Sequence, residues 1–475
     1  MTTLRLSPEV FQFLTNKHLS DKKEHFSFAI AREIHTHKVT LRGTVLSLAL
    51  TGNLFIPEQF ISSHSVEICA DEHQQVVARA IEEAKFYSHS RVYILNIHDH
   101  WFSNEAVFSS VDDRSDRELA KTYDRVSKEA GIELIPVSIV IGKTQWAARI
   151  PVRMPTGEWG FHPVRLLVND IPIRRLDSTV DRYPDMLHSR QPWLQDADPL
   201  IKNLNVAVVG CGGSGSIAAE GLVRMGFRRL TLIDADRVEY HNLNRLQGAG
   251  EGDIGKPKIQ VVAEHLKRIF PDTDIETCME LVYQPDAQQH LRDCDLILGC
   301  VDNNESRWYL NQTAVHLNLP YLDIGSRIFF ERGGRRDATR VSIIVPGRTP
   351  CGYCTPQPFY EKKVPERFVN KNILAEQRKS GYCTGSDNNS TPAEQIYSLN
   401  MRAVSDLLDE VSLLVSGSSD NAAFSVFTDG VSGKRSRLRV SDLPASMVNH
   451  QCAFCATVRG DGVLPVDNKQ EVQSD

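Results

Sequence analysis

The run Asn205-Val-Ala-Val-Val-Gly-Cys-Gly-Gly-Ser-Gly215 is a short apolar segment that empties into a cluster of glycines. Val206 to Val209 has no alternating polar face, the pattern of a strand buried on both sides of a parallel sheet. Gly210, Gly212 and Gly215 follow as Gly-x-Gly-x-x-Gly at the turn into a helix. Glycine lets the backbone turn tightly and approach a phosphate, and the free amides of the helix N-terminus attract one. Leu230 to Ile233 reads as a second strand, and Asp234 at its end is placed to accept from ribose hydroxyls. The glycines favour a nucleotide over a merely tight turn and do not say which nucleotide.

The residues that follow narrow the choice. After Asp234 come Asp236-Arg-Val-Glu-Tyr-His-Asn-Leu-Asn-Arg245 and Asp253-Ile-Gly-Lys-Pro-Lys258. A dinucleotide needs no cluster of cations and amides beside the ribose strand, whereas a triphosphate must be neutralised and its pyrophosphate stabilised as it leaves. A third strand, Asp295-Leu-Ile-Leu-Gly-Cys300, ends in Val301-Asp302-Asn303. A carboxylate at that carboxyl edge overlooks the nucleotide crevice and is suited to Mg²⁺. An NAD-dependent oxidoreductase is the rival on the glycines alone, and it leaves Arg245, Lys258 and Asp302 unexplained.

Together these pieces resemble the adenylating domain of the ThiF/MoeB/ubiquitin-activating superfamily over roughly residues 185–350. The resemblance implies ATP and Mg²⁺ as cofactors. It implies adenylation of the C-terminal glycine of a ubiquitin-like or sulfur-carrier β-grasp protein. It assigns Asp234 to ribose, Asn242, Arg245 and Lys258 to the phosphates, and Asp302 to Mg²⁺. It also implies a homodimer, a conjugating-enzyme-like carrier as a further partner, and Arg190 of His188-Ser-Arg190-Gln191 reaching the nucleotide site of the partner subunit. A surface arginine in a linker is the plain alternative for Arg190.

The chain has 475 residues, room for two or three domains. Its 41% hydrophobic and 24% charged content is that of a globular protein, and a net charge of −6 gives no footprint for nucleic acid. No apolar run approaches the ~20 residues of a membrane span. The first residues lack an apolar signal core, so a cytoplasmic location is expected. Ten cysteines in a chain of this length point to metal ligation or thiol chemistry rather than a disulfide framework.

Residues 1–160 read as a unit of their own. Ser7-Pro8 opens a helix, Phe26 to Ile30, Val39 to Leu50 and Ser65 to Ala70 read as strands, and Gln74 to Tyr87 has helical spacing. The strand from Arg91 delivers His98-Asp-His100 to its end, and a helix is expected from Asp116. Histidines two apart on a strand point the same way and reach one metal. Phe108-Ser109-Ser110-Val111-Asp112-Asp113 adds a serine and a carboxylate; two histidines, a carboxylate and a water describe a catalytic zinc. His35 and His37 repeat the spacing without a following carboxylate.

The set resembles the JAMM/MPN metalloprotease motif of zinc-dependent deubiquitinases. The resemblance makes His98, His100 and Asp112 zinc ligands, Glu24 the general base and Ser109 an oxyanion donor, with Ser110 and Asp113 as the alternative pair. The family's proline after the second histidine is Trp101 here, its serine stands one residue closer, and its glycines after the glutamate are absent. A degenerate, structural domain is the other reading.

Residues 161–200 are dense in proline and read as a connector and dimer-entry segment. Residues 201–463 alternate strand and helix, the signature of a doubly wound parallel sheet. Cys351-Gly-Tyr-Cys354 and Cys452-Ala-Phe-Cys455 form two knuckles suited to one structural Zn²⁺, which clips a long insertion to the core. Cys383 stands apart in a polar, glycine-rich loop within 355–395, ahead of a helix through Ile396, Leu399, Ala403, Leu407 and Leu408. The resemblance offers Cys383 as the thioester nucleophile. Residues 464–475 read as a flexible tail. The expected whole is α/β, a JAMM-like α+β domain followed by a Rossmann-like adenylating domain with a zinc-clipped, cysteine-bearing insertion. A sulfur-carrier route to a thiocarboxylate and a non-catalytic scaffold are the alternatives.

Overall fold

The structure is a computed structural model. It describes residues 2–21, 23–33, 45–48, 53–57, 59–61, 66–68, 70–87, 89–177, 186–195, 197–331, 334–352, 354, 395–416, 423–439, 442, 452, 455 and 459–460. The chain divides into two compact units, Met1–Asp181 with Arg459–Val463 and Arg182–Val458 with Leu464–Asp475.

The first unit contains β1 (Thr2–Leu6), α1 (Pro8–His18), β2 (Phe26–Glu33), β3 (Val45–Leu48), β4 (Leu54–Phe55), β5 (Gln59–Ile61), β6 (Val66–Ile68), α2 (Ala70–Phe86), β7 (Arg91–Asp99), α3 (Ser110–Ala130), β8 (Glu133–Ile141), β9 (Trp146–Arg153), β10 (Trp159–Val168) and β11 (Arg174–Arg175). The strands β1, β3, β2, β7, β8, β9 and β10 follow one another by pairing, and β10 returns to β1, so the sheet closes on itself. Residues 159–163 of β10 pair with β9, and Val164 to Val168 pair in parallel with β1. The proline-dense run after residue 160 therefore begins as sheet, with Pro163 inside β10.

Alternation along β7 serves two cores. Tyr93, Leu95 and Ile97 join Leu4, Leu6, Val10 and Leu14 on the α1 side. Val92 and Ile94 join Val76, Ala80 and Tyr123 beneath α2 and α3. The same period of two sends His98 and His100 to one face and Asp99 to the other. Asp99 Oδ2 accepts from the His25 amide at 2.8 Å and lies 3.0 Å from Nδ1 of buried His18.

Helix α3 starts at Ser110, not at the expected Asp116. Ser109 is the N-cap: its Oγ accepts from the Asp112 amide at 3.2 Å, and Asp112 Oδ2 accepts from the Ser109 amide at 2.6 Å. This reciprocal capping box satisfies two amides that a helix start leaves unpaired. The Ser-x-x-Asp spacing is thus a helix signal as well as a site signal.

The second unit contains α4 (Pro192–Gln195), α5 (Asp198–Asn203), β12 (Asn205–Val209), α6 (Gly213–Arg224), β13 (Arg229–Ile233), α7 (Lys258–Ile269), β14 (Asp274–Cys278), α8 (Pro285–Arg292), β15 (Leu296–Gly299), α9 (Asn304–His316), β16 (Tyr321–Glu331), β17 (Gly334–Ile344), α10 (Tyr397–Ser416), β18 (Ala423–Asp429) and β19 (Arg435–Arg439). The sheet order is β14-β13-β12-β15-β16-β17-β18-β19. The first five strands are parallel, as expected from the strand–helix alternation. The last pairings are antiparallel, which corrects an all-parallel sheet. β16 ends at Glu331 and β17 starts at Gly334, a connection far too short for the crossover that a parallel pair requires.

The chain winds outward from β12 through β13 to β14, then returns to place β15 on the other side of β12. Ligands bind in the crevice at such a reversal, outside the carboxyl ends of the strands. Helix α10 forms where its apolar spacing indicated, burying Leu399, Ala403 and Leu407. Among the described residues, no helix is long and apolar enough to cross a membrane.

Candidate functional site

The turn out of β12 is built on close approach. Gly210 has φ +87°, and a Cβ there would sit 2.7 Å from the Cys300 carbonyl oxygen. A Cβ on Gly215 would lie 1.7 Å from the Gly210 carbonyl oxygen, so only glycine lets α6 pack this tightly onto its own strand. A Cβ on Gly212 would meet nothing within 4 Å, because that glycine borders open space. Helix α6 has Gly212 as its N-cap and no side-chain cap, leaving its first amides available.

That open space is a cavity of about 820 Å³ at the β12/β15 reversal. Gly210, Gly212, Asp234, Asn242, Arg245, Lys258 and Asp302 all line it. Of the residues assigned to the chain's own nucleotide, all but Gly215 thus line one cavity. Asp234 accepts from the amides of Cys211 at 2.6 Å and Asp236 at 2.7 Å, which fixes the carboxylate at the edge of β13. Burial raises its pKa, against the opposing pull of Lys258 and the amide bonds. Lys258 opens α7 and reaches Asp236 Oδ2 at 2.7 Å. Asn242 ends a short 3-10 turn, Tyr240–Asn242, and accepts from the Glu239 amide at 3.0 Å.

Three further residues of the cavity were not read from the sequence. Arg307, on α9, donates from Nη2 to the carbonyls of Val301 (2.7 Å) and Ile324 (3.2 Å), tying the segment just after β15 to the first half of β16. Its position one turn after Asp302 was the available signal. Arg327 comes from the outer half of β16, and Gln395 from the residues just before α10. Nothing in their local sequence marks them. Arg190 is exposed in the turn ahead of α4 and is not among the residues lining the cavity. Cys383, and His35 and His37, lie outside the described residues.

Four cysteines gather elsewhere in the second unit. The Sγ atoms of Cys351, Cys354, Cys452 and Cys455 lie within 4.8 Å of one another. Cys354 Sγ is 3.7 Å from Cys351 Sγ and 3.6 Å from Cys455 Sγ. Zn–S bonds of ~2.3 Å in a tetrahedron set the sulfurs about 3.8 Å apart, while a disulfide needs ~2.05 Å. The donors therefore fit a tetrahedral thiophilic ion. The neighbouring thiols of Cys351 and Cys455 hold the Cys354 thiol well below its ordinary range.

In the first unit, the ligand atoms of Glu24, His98 and His100 lie within 4.8 Å of one another. His98 Nε2 is 3.1 Å from Asp112 Oδ1, and His100 Nε2 is 3.8 Å from Asp112 Oδ2. His98 Nε2 is buried, and Asp112 is its near polar neighbour. Burial disfavours the charge of Asp112, but the facing His98 and the Ser109 amide outweigh it and hold the carboxyl well below its ordinary range. Burial, and then the neighbouring His98, lower the pKa of His100. Asp113 turns away: Arg149 Nη1 contacts its Oδ1 at 2.6 Å. The Arg149 guanidinium is stacked between Phe108 at 3.7 Å and Phe161 at 3.8 Å. Of the two aspartates, Asp112 is the one that faces the histidines.

A family model for the ThiF family matches residues 191–453. The chain belongs to the ThiF family. It is similar to ubiquitin-like modifier-activating enzyme 5 of Dictyostelium discoideum, 32% identical over 198 residues that cover 39% of this chain and 48% of that protein. The protein of the same name from Oryza sativa subsp. japonica is 29% identical over 237 residues, covering 47% and 52%. The chain thus spans about half the length of the curated relatives it matches. A solved structure of E. coli MccB with ATP aligns with 58% of this chain and 76% of that one, at a TM-score of 0.43 and 20% identity. The ThiF match begins at residue 191 and leaves the first unit unassigned.

Proposed function

We propose that this ThiF-family chain adenylates the C-terminal glycine of a ubiquitin-like protein, using ATP. The observation that carries the reading is the convergence of Asp234, Asn242, Arg245, Lys258 and Asp302 on one cavity with the glycine turn. Asp234 receives the ribose. Asn242, Arg245 and Lys258 neutralise the phosphates, with Arg190 of a second copy completing the set in a homodimer. Asp302 would hold Mg²⁺, which would supply positive charge against the triphosphate. An oxygen of the glycine carboxylate attacks the α-phosphorus; the new P–O bond forms as the bond to the β-phosphate oxygen breaks, and pyrophosphate leaves.

Cys383 is the proposed acceptor of the activated acyl group. Its thiolate attacks the acyl carbon, a thioester forms and AMP departs. Incubation with ATP, Mg²⁺ and a mature β-grasp protein, followed by non-reducing gels, tests this. A thiol-sensitive adduct that Cys383→Ala abolishes while pyrophosphate exchange persists supports it. An adduct that survives the substitution returns the thiocarboxylate route of a sulfur carrier to first place.

Cys351, Cys354, Cys452 and Cys455 would hold a structural Zn²⁺. His98, His100 and Asp112 would hold a second Zn²⁺, which would supply Lewis acidity at an amide carbonyl. Around it, Glu24 accepts a proton from water, and the Ser109 hydroxyl donates to the developing oxyanion. The bond cut follows the terminal glycine of a precursor or conjugate. The gathering of Glu24, His98 and His100, with Asp112 facing both histidines, supports this reading of the first unit. Release of a C-terminal extension by the wild type and not by Glu24→Gln would support it; equal release by both would remove Glu24 from the chemistry.

A further inference from the structure

Arg245 is a half-buried cation of the nucleotide cavity. Its Nη1 donates to the His241 carbonyl at 2.7 Å and to Asn244 Oδ1 at 2.9 Å, both within its own turn. Its Nε donates to Gln395 Oε1 at 3.1 Å, the contact most distant in sequence. Two of the three guanidinium nitrogens are thereby held, and the Nη2 edge has no hydrogen bond among the described residues. The side-chain stem lies against Gly213, where an added Cβ would come within 3.1 Å of Arg245 Cγ and Cδ. A planar guanidinium pinned along one edge presents the other in a fixed direction, the geometry that favours phosphate recognition over a freely rotating cation.

Gln395 has a supporting structure of its own. Two residues on, Tyr397 Oη donates to Gln247 Oε1 at 2.6 Å. The residues leading into α10 are therefore joined to the 241–247 segment at two points. On α10, buried Asn400 abuts Gly213 and accepts from Ser326 Oγ at 3.3 Å. Gln395 itself lines the cavity beside Arg245.

We infer that Gln395 is a positioning residue that sets the Arg245 guanidinium against the phosphates of ATP, as a member of the second unit's nucleotide site rather than of the insertion. The inference rests on the nucleotide reading of the cavity. Gln395 does not touch the reacting atoms. It acts by removing one rotational freedom from Arg245, so its loss weakens recognition of the phosphates and leaves recognition of the nucleoside intact.

The test measures binding of ATP with Mg²⁺ and, separately, of adenosine to the full chain by calorimetry. The proteins are wild type, Arg245→Ala, Gln395→Met and Gln395→Glu. Methionine keeps the length of glutamine and lacks the acceptor, while glutamate keeps an acceptor for Nε. Gln395→Met is expected to weaken ATP roughly three- to tenfold with adenosine unchanged, and Gln395→Glu to retain more of the ATP affinity than Gln395→Met. A structural lesion would weaken both ligands together, and that result overturns the inference. So does unchanged ATP affinity in Gln395→Met when Arg245→Ala has lost it. If the wild type binds no ATP, or Arg245→Ala binds it as well as the wild type, the nucleotide reading falls and the inference with it.

Discussion

Lys258 Nζ lies 2.7 Å from Asp236 Oδ2, joining the start of α7 to the loop that follows β13. The two ends differ in setting. The Lys258 side chain is 11% exposed and that of Asp236 68%. Water can solvate Asp236 if its partner is removed, whereas an incoming phosphate can displace it from Lys258. Lys258→Ala is therefore expected to alter unfolding free energy by no more than ~1 kcal/mol. ATP–pyrophosphate exchange should fall ~100-fold or more, since one cation facing the reacting phosphates is lost. Thermal melting and exchange on one preparation check both.

Two glycines of the same turn separate folding from binding. Gly215→Ala drives a Cβ into the Gly210 carbonyl oxygen, and relief requires α6 to move off β12. It is expected to destabilise by ~3 kcal/mol or more. Gly212→Ala has open space and an ordinary extended backbone, so it should melt with the wild type. Its new methyl group projects where a phosphate would approach, and ATP affinity should drop. Melting curves and ATP titrations of both variants decide it.

The first unit should lose stability in mild acid. His73 stacks on Phe28 with centroids 5.0 Å apart, its Nε2 is 2.9 Å from the Tyr123 hydroxyl, and burial lowers its pKa from 6.5. The unfolded chain takes up a proton as pH falls through 6.5, while the folded chain takes it up only at lower pH. Stability from this group is therefore complete above pH 6.5 and is lost progressively below it. His73→Gln preserves a partner for the Tyr123 hydroxyl and removes the titration. Between pH 7.5 and about 5.5 its melting temperature should fall less than that of the wild type.

Metal content gives an arithmetic test of the two clusters. The purified wild type is expected to carry two equivalents of zinc. Cys354→Ser and His98→Ala should each retain one, and the double variant none. Elemental analysis reads this directly. Loss of both ions from His98→Ala alone would contradict two separate sites.

Much of the second unit was legible because its information is local. Each strand of the parallel half is a short apolar run, and Gly210, Asp234 and Asp302 stand at the carboxyl ends of such runs, where winding about β12 gathers them. The antiparallel half depends on how β16 turns into β17, and apolar patterning alone does not state strand direction. In the first unit, closure rests on parallel pairing of Val164 to Val168 with β1 at the other end of the sequence, and no local signal announces it. Ser109 shows a second limit: one Ser-x-x-Asp spacing encodes both a helix cap and the carboxylate that faces His98 and His100. Gln395 shows a third, since its role depends on meeting Arg245 through the fold, and a lone glutamine ahead of a helix carries no such mark.

The most direct measurement is ATP–pyrophosphate exchange with mature β-grasp proteins ending in glycine, comparing wild type with Asp302→Ala. Adenylation at this cavity requires exchange that depends on one partner's terminal glycine and falls at least ~100-fold in Asp302→Ala. Wild-type ATP binding without exchange for any mature partner, or exchange that Asp302→Ala leaves intact, would contradict it.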